Sequence, residues 1–144
     1  MKIAFFDIDG TMIPFGGKPM SEKMRHCLKS LQNHGVKLVI ATGRPVFAAP
    51  DFGVVFDGVM GYNGAMCVAD GKVIYENPIP KEDVLRLIEN ADRHNHKLVL
   101  TNREQYCCNG MEKDLDLYLS FAGLKLTVDP AEFDRVKEQP VYQI

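Results

Sequence analysis

Lys2-Ile3-Ala4-Phe5-Phe6-Asp7-Ile8-Asp9-Gly10-Thr11 opens the chain with a short apolar run that breaks on two acidic residues and a glycine. A run of that length ending on Asp7 and Gly10 predicts a buried strand, Lys2 to Phe6, feeding a functional turn. After the Gly/Pro-rich stretch Pro14-Phe15-Gly16-Gly17-Lys18-Pro19, Ser21 is placed to cap a helix. Its Met24, Cys27, Leu28 and Leu31 recur at helical spacing until Gly35 ends it. Val36 to Ala41 reads as a second apolar strand. Strand, helix and strand at this spacing make a right-handed crossover between parallel strands. In such sheets ligands bind outside the carboxyl ends of the strands, where Asp7 and Thr42 both stand.

Beyond this unit, Gly58 to Gly61 supplies a candidate third strand. Ala65 to Val68 and Val73 to Tyr75 read as a hairpin closed on Asp70-Gly71, a strong turn dipeptide. Pro78 and Pro80 punctuate the chain and mark a boundary between residues 1–79 and 80–144. The pattern then changes to a helix from Lys81 with Val84, Leu87, Ile88 and Ala91 on one face, a strand Lys97 to Thr101, and a helix near Glu112 to Ala122. Val141-Tyr142-Gln143-Ile144 reads as the start of a strand with no partner after it, so the ending is expected to be a cut.

With 144 residues, 46% hydrophobic and 25% charged, the chain can bury a real core. A formal net charge of −2 supplies no broad basic field, which argues against nucleic acid as a partner. Phe5, Phe6, Phe47, Phe52 and Phe56 are accordingly expected in the core and not on a base-stacking platform. No uncharged run approaches the ~20 residues of a membrane span, and Asp7 arrives too early for the apolar region of a signal peptide. The expectation is a cytoplasmic protein with no membrane partner. Cys27, Cys67, Cys107 and Cys108 show no CxxC spacing and are expected to be free thiols. A zinc site of Cys107, Cys108 and His94 or His96 is conceivable, with nothing to fix its geometry.

Asp7 and Asp9 stand two apart at a strand end, where the period of two points them to the same side. Close carboxylates repel unless they share a proton or bind a hard cation. Mg²⁺ takes one or two carboxylates together with phosphate oxygens and waters. Asp7 could then attack phosphorus, while Asp9 would protonate the leaving oxygen and later activate water. That role asks for an Asp9 pKa raised toward the working pH. Gly10 permits a sharp turn, and successive amides after the strand, those of Gly10 and Thr11 among them, could cradle phosphoryl oxygens. Thr42 and Gly43 could join from the second strand end, and Arg44 could reach substrate or pair with a local carboxylate. Asp-x-Asp-Gly also occurs as plain turn chemistry, but the two strand ends together favour a phosphoryl site.

Phe6-Asp7-Ile8-Asp9-Gly10-Thr11 and Ala41-Thr42-Gly43-Arg44 resemble motifs one and two of the haloacid dehalogenase superfamily, and the chain is most similar to its Cof-type sugar-phosphate phosphatases. Tyr62-Asn63-Gly64-Ala65, the Asp70-Gly71 hairpin and Asn77-Pro78-Ile79-Pro80 resemble the passage from the core into an inserted cap. The resemblance implies an α/β fold: a Rossmann-like parallel-sheet core over 1–79 with a mobile flap at 10–20, then the beginning of an α/β cap over 80–144. It implies Asp7 as nucleophile and Mg²⁺ ligand, and Asp9 as acid/base with its carbonyl on the metal. Thr42 would hold phosphate, and Ile8 and Gly43 would lend amides. Asn63 would lie near the active-site face, although Asn-Gly is also an ordinary turn.

The later motifs of that family, a lysine and an acidic pair within Gly-Asp-x-x-Asn-Asp, do not occur, since the chain holds no Gly-Asp dipeptide. Asp114 and Asp116 sit two apart in a helical pattern and do not face each other, so they read as a solvated face. The resemblance therefore implies a parent phosphatase for a small phosphorylated metabolite, a sugar phosphate first, and little activity in this chain alone. Two alternatives remain open: a non-catalytic protein that binds Mg²⁺ and phosphate or self-associates through an exposed sheet edge, and a metal-dependent transferase holding a nucleotide diphosphate.

Overall fold

The computed structural model describes residues 2–14, 19–121, 126 and 128–144. The chain divides into two compact units, Met1–Glu76 and Asn77–Ile144.

In the first unit β1 (Lys2–Phe6), β2 (Val36–Ala41), β3 (Gly58–Gly61), β4 (Met66–Ala69) and β5 (Lys72–Glu76) form one sheet in that order. The β1–β2 and β2–β3 pairs are parallel, and β4 and β5 continue antiparallel as a hairpin. Asp70 and Gly71 close that hairpin with φ of 49° and 71°, the pair of left-handed residues that a tight two-residue turn demands. The crossover helix α1 (Glu22–Asn33) starts on Ser21, whose hydroxyl accepts the Met24 N–H at 3.2 Å, and is followed by Gly35 at φ 74°.

Leu28 on α1 packs with Leu38 and Ile40 of β2 and with Ile8, Met12, Met20 and Phe52. It is fully buried, so Leu28→Ala should destabilise the chain by about 2–5 kcal/mol in a urea melt. A loss within the noise would show that α1 is not seated as described. Of the expected flap, Met12 and Met20 are buried in this core, and residues 15–18 lie outside the described residues.

β1 is not a buried strand: it is first in the strand order, and Ile3 and Phe5 are each 54% exposed. The pleat explains which residues escape burial. Ala4 and Phe6 are in register with the buried Leu38 and Ile40, whereas Ile3 and Phe5 pair with Lys37 and Val39 on the opposite face. Of the five phenylalanines expected in the core, Phe5 and Phe47 are surface residues, while Phe52 is buried and meets Phe56 edge-on at 6.0 Å. Cys27, on the predicted apolar stripe of α1, is exposed.

The second unit holds α2 (Lys81–Arg93), β6 (Val99–Thr101), β7 (Tyr106–Cys108), α3 (Lys113–Phe121) and α4 (Pro130–Val136), with β6 and β7 antiparallel. Val84, Leu100, Cys107, Phe133, Val136 and Val141 form its core. Leu87, placed on the buried face of α2 by the sequence pattern, is 46% exposed. The expected strand from Lys97 starts only at Val99, because the Leu98 amide donates to the Asn109 side chain at 2.8 Å. Ala122, at the expected end of α3, lies outside the described residues.

The closing segment pairs with residues earlier in the chain. Val141 bridges Ile79 and Gln143 bridges Thr101. All four cysteines are free thiols. Among the described residues no three His, Cys, Asp or Glu side chains converge as a metal site, around Cys107 and Cys108 included. Nor is any described helix long and apolar enough to cross a membrane.

Candidate active site

The parallel strands β1, β2 and β3 bring their carboxyl ends together, and a cleft of about 410 Å³ opens there, lined by Asp7, Ala41, Thr42, Gly43, Met60, Asn63 and Gly64. Sequence reading expected Asp7, Thr42 and Gly43 at this place. Met60 and Gly64 were not anticipated, and their signal was only that β3 ends beside β2.

Behind β1 the chain turns tightly on buried Ile8. The Ile8 carbonyl accepts the N–H groups of Met12 at 3.0 Å and Ile13 at 2.9 Å, and Gly10, at φ 80°, donates its N–H to the Ile13 carbonyl at 2.8 Å. The Thr11 N–H leans on the Ile8 carbonyl at 3.4 Å. Of the amides proposed for a phosphate cradle, those of Gly10 and Thr11 therefore close the turn. The amides of Ile8, Asp9 and Gly43 take no part in these turn bonds.

Thr42 follows β2 and is only 6% exposed. Its hydroxyl oxygen accepts the Arg44 N–H at 3.1 Å. A hydroxyl has one proton to give, so with an acceptor position already used Thr42 is set up to donate it to a ligand in the cleft. The third wall is a bend in which both Tyr62 and Asn63 have positive φ, 53° and 55°, a conformation that costs a residue other than glycine about 1–3 kcal/mol. It is held by Tyr62 N–H donating to the Arg44 carbonyl at 3.0 Å and Asn63 N–H donating to the Thr42 carbonyl at 3.1 Å. Asn63 is thus both a turn residue and part of the cleft. A side chain at position 43 would bring its Cβ within 3.0 Å of the Asn63 Oδ1, which explains the glycine there.

Arg44 is not in the cleft lining. Its Nε donates to Asp9 Oδ2 at 2.8 Å and its second nitrogen donates to Asp9 Oδ1 at 2.7 Å, so it grips both carboxylate oxygens as a fork. Of the two expected roles for Arg44, the structure has the pairing with a local carboxylate. This also corrects the electrostatics expected of Asp9. The hydrogen-bonded guanidinium holds its carboxyl below the ordinary value, against a smaller opposing effect of burial.

Mg²⁺ would be held here by the Asp7 carboxylate and the Asp9 carbonyl. Among the described residues the Asp7 side chain takes no hydrogen bond, and the Asp9 carbonyl accepts none from the backbone. Two hard oxygen donors beside an open cleft fit an ion that fills its remaining positions with water and substrate oxygens.

A sequence profile of the haloacid dehalogenase-like hydrolases matches residues 4–144. The Bacillus subtilis (strain 168) protein named "Putative phosphatase YkrA" is 36% identical over 102 residues, which are 68% of this chain and 38% of that protein. BT1666 from Bacteroides thetaiotaomicron, whose structure was solved among phosphatases of the HAD superfamily, is 29% identical with a TM-score of 0.81, covering 98% of this chain and 53% of that one. The HAD subclass IIB sugar phosphatase BT4131 shares the fold at 23% identity and a TM-score of 0.80, over 98% of this chain and 56% of its own. This chain therefore spans about two-fifths to just over a half of the length of these relatives.

Proposed function

The chain belongs to the haloacid dehalogenase-like hydrolases, and on that premise we propose that it carries the nucleophile-bearing part of a Mg²⁺-dependent phosphomonoesterase. The observation that carries this reading is Asp7 in one cleft with Thr42 and Gly43, at the ends of adjacent parallel strands. In the first half-reaction an Asp7 oxygen forms a bond to phosphorus as the bond from phosphorus to the leaving oxygen breaks, and Asp9, protonated for this step against the pull of Arg44, gives that oxygen a proton. In the second, Asp9 takes a proton from water as the water oxygen attacks phosphorus and releases Asp7. Thr42 donates its hydroxyl proton to a phosphoryl oxygen, joined by the Ile8 and Gly43 amides. Mg²⁺, when bound, would offset the repulsion between the phosphate dianion and the Asp7 carboxylate.

A small phosphorylated metabolite fits a cleft of this size, and the fold shared with a sugar phosphatase puts sugar phosphates first. We read Asn77–Ile144 as the beginning of a cap and the free thiols as suited to a cytoplasmic protein. The outer edge of β1, with apolar Ile3 and Phe5 beside it, is suited to self-association.

The test is hydrolysis of a panel of sugar phosphates and p-nitrophenyl phosphate by the full-length polypeptide carrying these residues. Turnover should require Mg²⁺, disappear with chelator and return on adding the ion back. Hydrolysis that is indifferent to chelation, or none of any phosphate ester, would contradict the reading.

A further inference from the structure

Arg44 ties three walls of the site together through its side chain and its main chain. Its fork holds both oxygens of Asp9 at 2.7 and 2.8 Å, its N–H donates to the Thr42 hydroxyl at 3.1 Å, and its carbonyl accepts the Tyr62 N–H at 3.0 Å at the start of the left-handed bend carrying Asn63. Its backbone is also closely packed from behind. A Cβ at Gly61 would fall 3.0 Å from the Arg44 carbonyl oxygen and 2.8 Å from Val46 Cγ2, so β3 can approach this segment only because position 61 is glycine.

We propose that Arg44 is a positioning residue, whose two-point grip on Asp9 aims that carboxylate at the leaving-group oxygen while its main chain sets Thr42 and the Tyr62-Asn63 bend around the phosphoryl group. The inference rests on the phosphatase reading above and adds to it a residue that touches neither substrate nor phosphorus. A carboxylate has about four lone-pair sites. The fork occupies one on each oxygen, so each keeps another that can carry the proton for the leaving oxygen or accept one from the incoming water. A single ammonium could satisfy the charge of Asp9, but only a planar fork fixes the rotation of its carboxylate. The pair is partly open to solvent, with side-chain exposures of 36% and 41%, so it adds little to stability and its effect lies in orientation.

In the first half-reaction the grip matters only where the leaving group needs a proton; in the second it aims Asp9 at the water whatever the leaving group was. An alkyl or sugar oxygen leaves poorly without one, whereas p-nitrophenolate leaves readily as the anion. The experiment measures kcat and KM for both substrate types, and the pre-steady-state burst on p-nitrophenyl phosphate, in the full-length polypeptide, its Arg44→Ala and Arg44→Lys variants, and Asp7→Asn as the control on the parent reading. Arg44→Ala should lower kcat on a sugar phosphate by about 10²-fold with KM within about twofold of wild type, as a misplaced catalytic group does. On p-nitrophenyl phosphate the pre-steady-state burst should keep its rate within about tenfold of wild type, while steady-state turnover slows because release of Asp7 also needs Asp9. Arg44→Lys should recover little of the sugar phosphate activity.

Raised KM on both substrates, with rescue by lysine, would overturn the proposal and make Arg44 a direct contact of the phosphate. A burst rate on p-nitrophenyl phosphate that falls as far as the rate on the sugar phosphate would overturn it as well, since aim at the leaving oxygen would then not be what Arg44 provides. A failed parent reading looks different from either: Asp7→Asn then hydrolyses as well as wild type, and the positioning role falls with it. Arg44→Ala should also keep the thermal transition of the wild type, because the pair is partly open. A collapse of the fold in that variant would show that Arg44 is structural.

Discussion

Asp7→Asn should abolish hydrolysis of every phosphomonoester that the full-length polypeptide accepts, lowering kcat by about 10⁴-fold or more, the scale on which loss of a covalent nucleophile is felt. The substitution keeps shape and volume but replaces the attacking carboxylate by an amide that cannot form the acyl phosphate. Its effect on folding should be small. Asp7 is exposed and its side chain has no hydrogen-bond partner among the described residues, so urea melts of the two proteins should superimpose. Activity within tenfold of wild type would remove Asp7 from the chemistry and leave the cleft as a binding site.

Asp9→Asn should produce the second largest loss, about 10²–10⁴-fold in kcat on an alkyl or sugar phosphate, the range that general acid–base catalysis supplies. With p-nitrophenyl phosphate the first half-reaction should survive, so a phosphorylated enzyme should accumulate, because the water that releases Asp7 then lacks its base. A pre-steady-state burst of p-nitrophenolate followed by slow turnover is the expected trace. Loss of the burst along with the turnover would mean that Asp9 is needed for attack itself. A stability readout accompanies the kinetics. Arg44 depresses the Asp9 carboxyl below its ordinary value of 3.8, so the ion pair contributes in full above that pH and its contribution is lost as pH falls through the lower folded value. Any stability gap between wild type and Asp9→Asn should therefore be constant near neutrality and close in strong acid.

Much of the first unit was legible in the sequence because its signals are local. Lys2–Phe6, Val36–Ala41 and Gly58–Gly61 stand as apolar runs bounded by turn residues, Ser21 and Gly35 bracket α1, and Asp70-Gly71 announces its hairpin. The exposure of β1 was not legible, since an apolar run looks the same whether or not a second face is covered. In the second unit β7 is only three residues long and shows no alternation, so nothing distinguishes Tyr106–Cys108 from a loop. α4 could have been found. Asp129 accepts the Glu132 N–H and Pro130 occupies the first turn, which is a cap signature present in the bare sequence.

The site divides along the same line. Asp7, Asp9 and Thr42 could be placed from strand ends alone. The partner of Arg44 could not, because 35 residues separate it from Asp9 and only the parallel pairing of β1 and β2 brings them together. That pairing also corrected the expected rise in the Asp9 pKa, a property of its neighbour and not of the motif. Asn63 was open between turn and cleft because the two roles are compatible: the left-handed backbone that suits a turn places the residue on the cleft wall.

The central claim is that a phosphoryl group rests on Asp7. The full-length polypeptide would be mixed with Mg²⁺ and a phosphomonoester it hydrolyses, quenched within one turnover, treated with borohydride and mapped by mass spectrometry. An acyl phosphate on Asp7 is reduced to homoserine, so the account predicts homoserine at position 7 in the sample given substrate and aspartate there in the sample without it. Turnover with aspartate intact at position 7, or homoserine at another acidic residue, would contradict it.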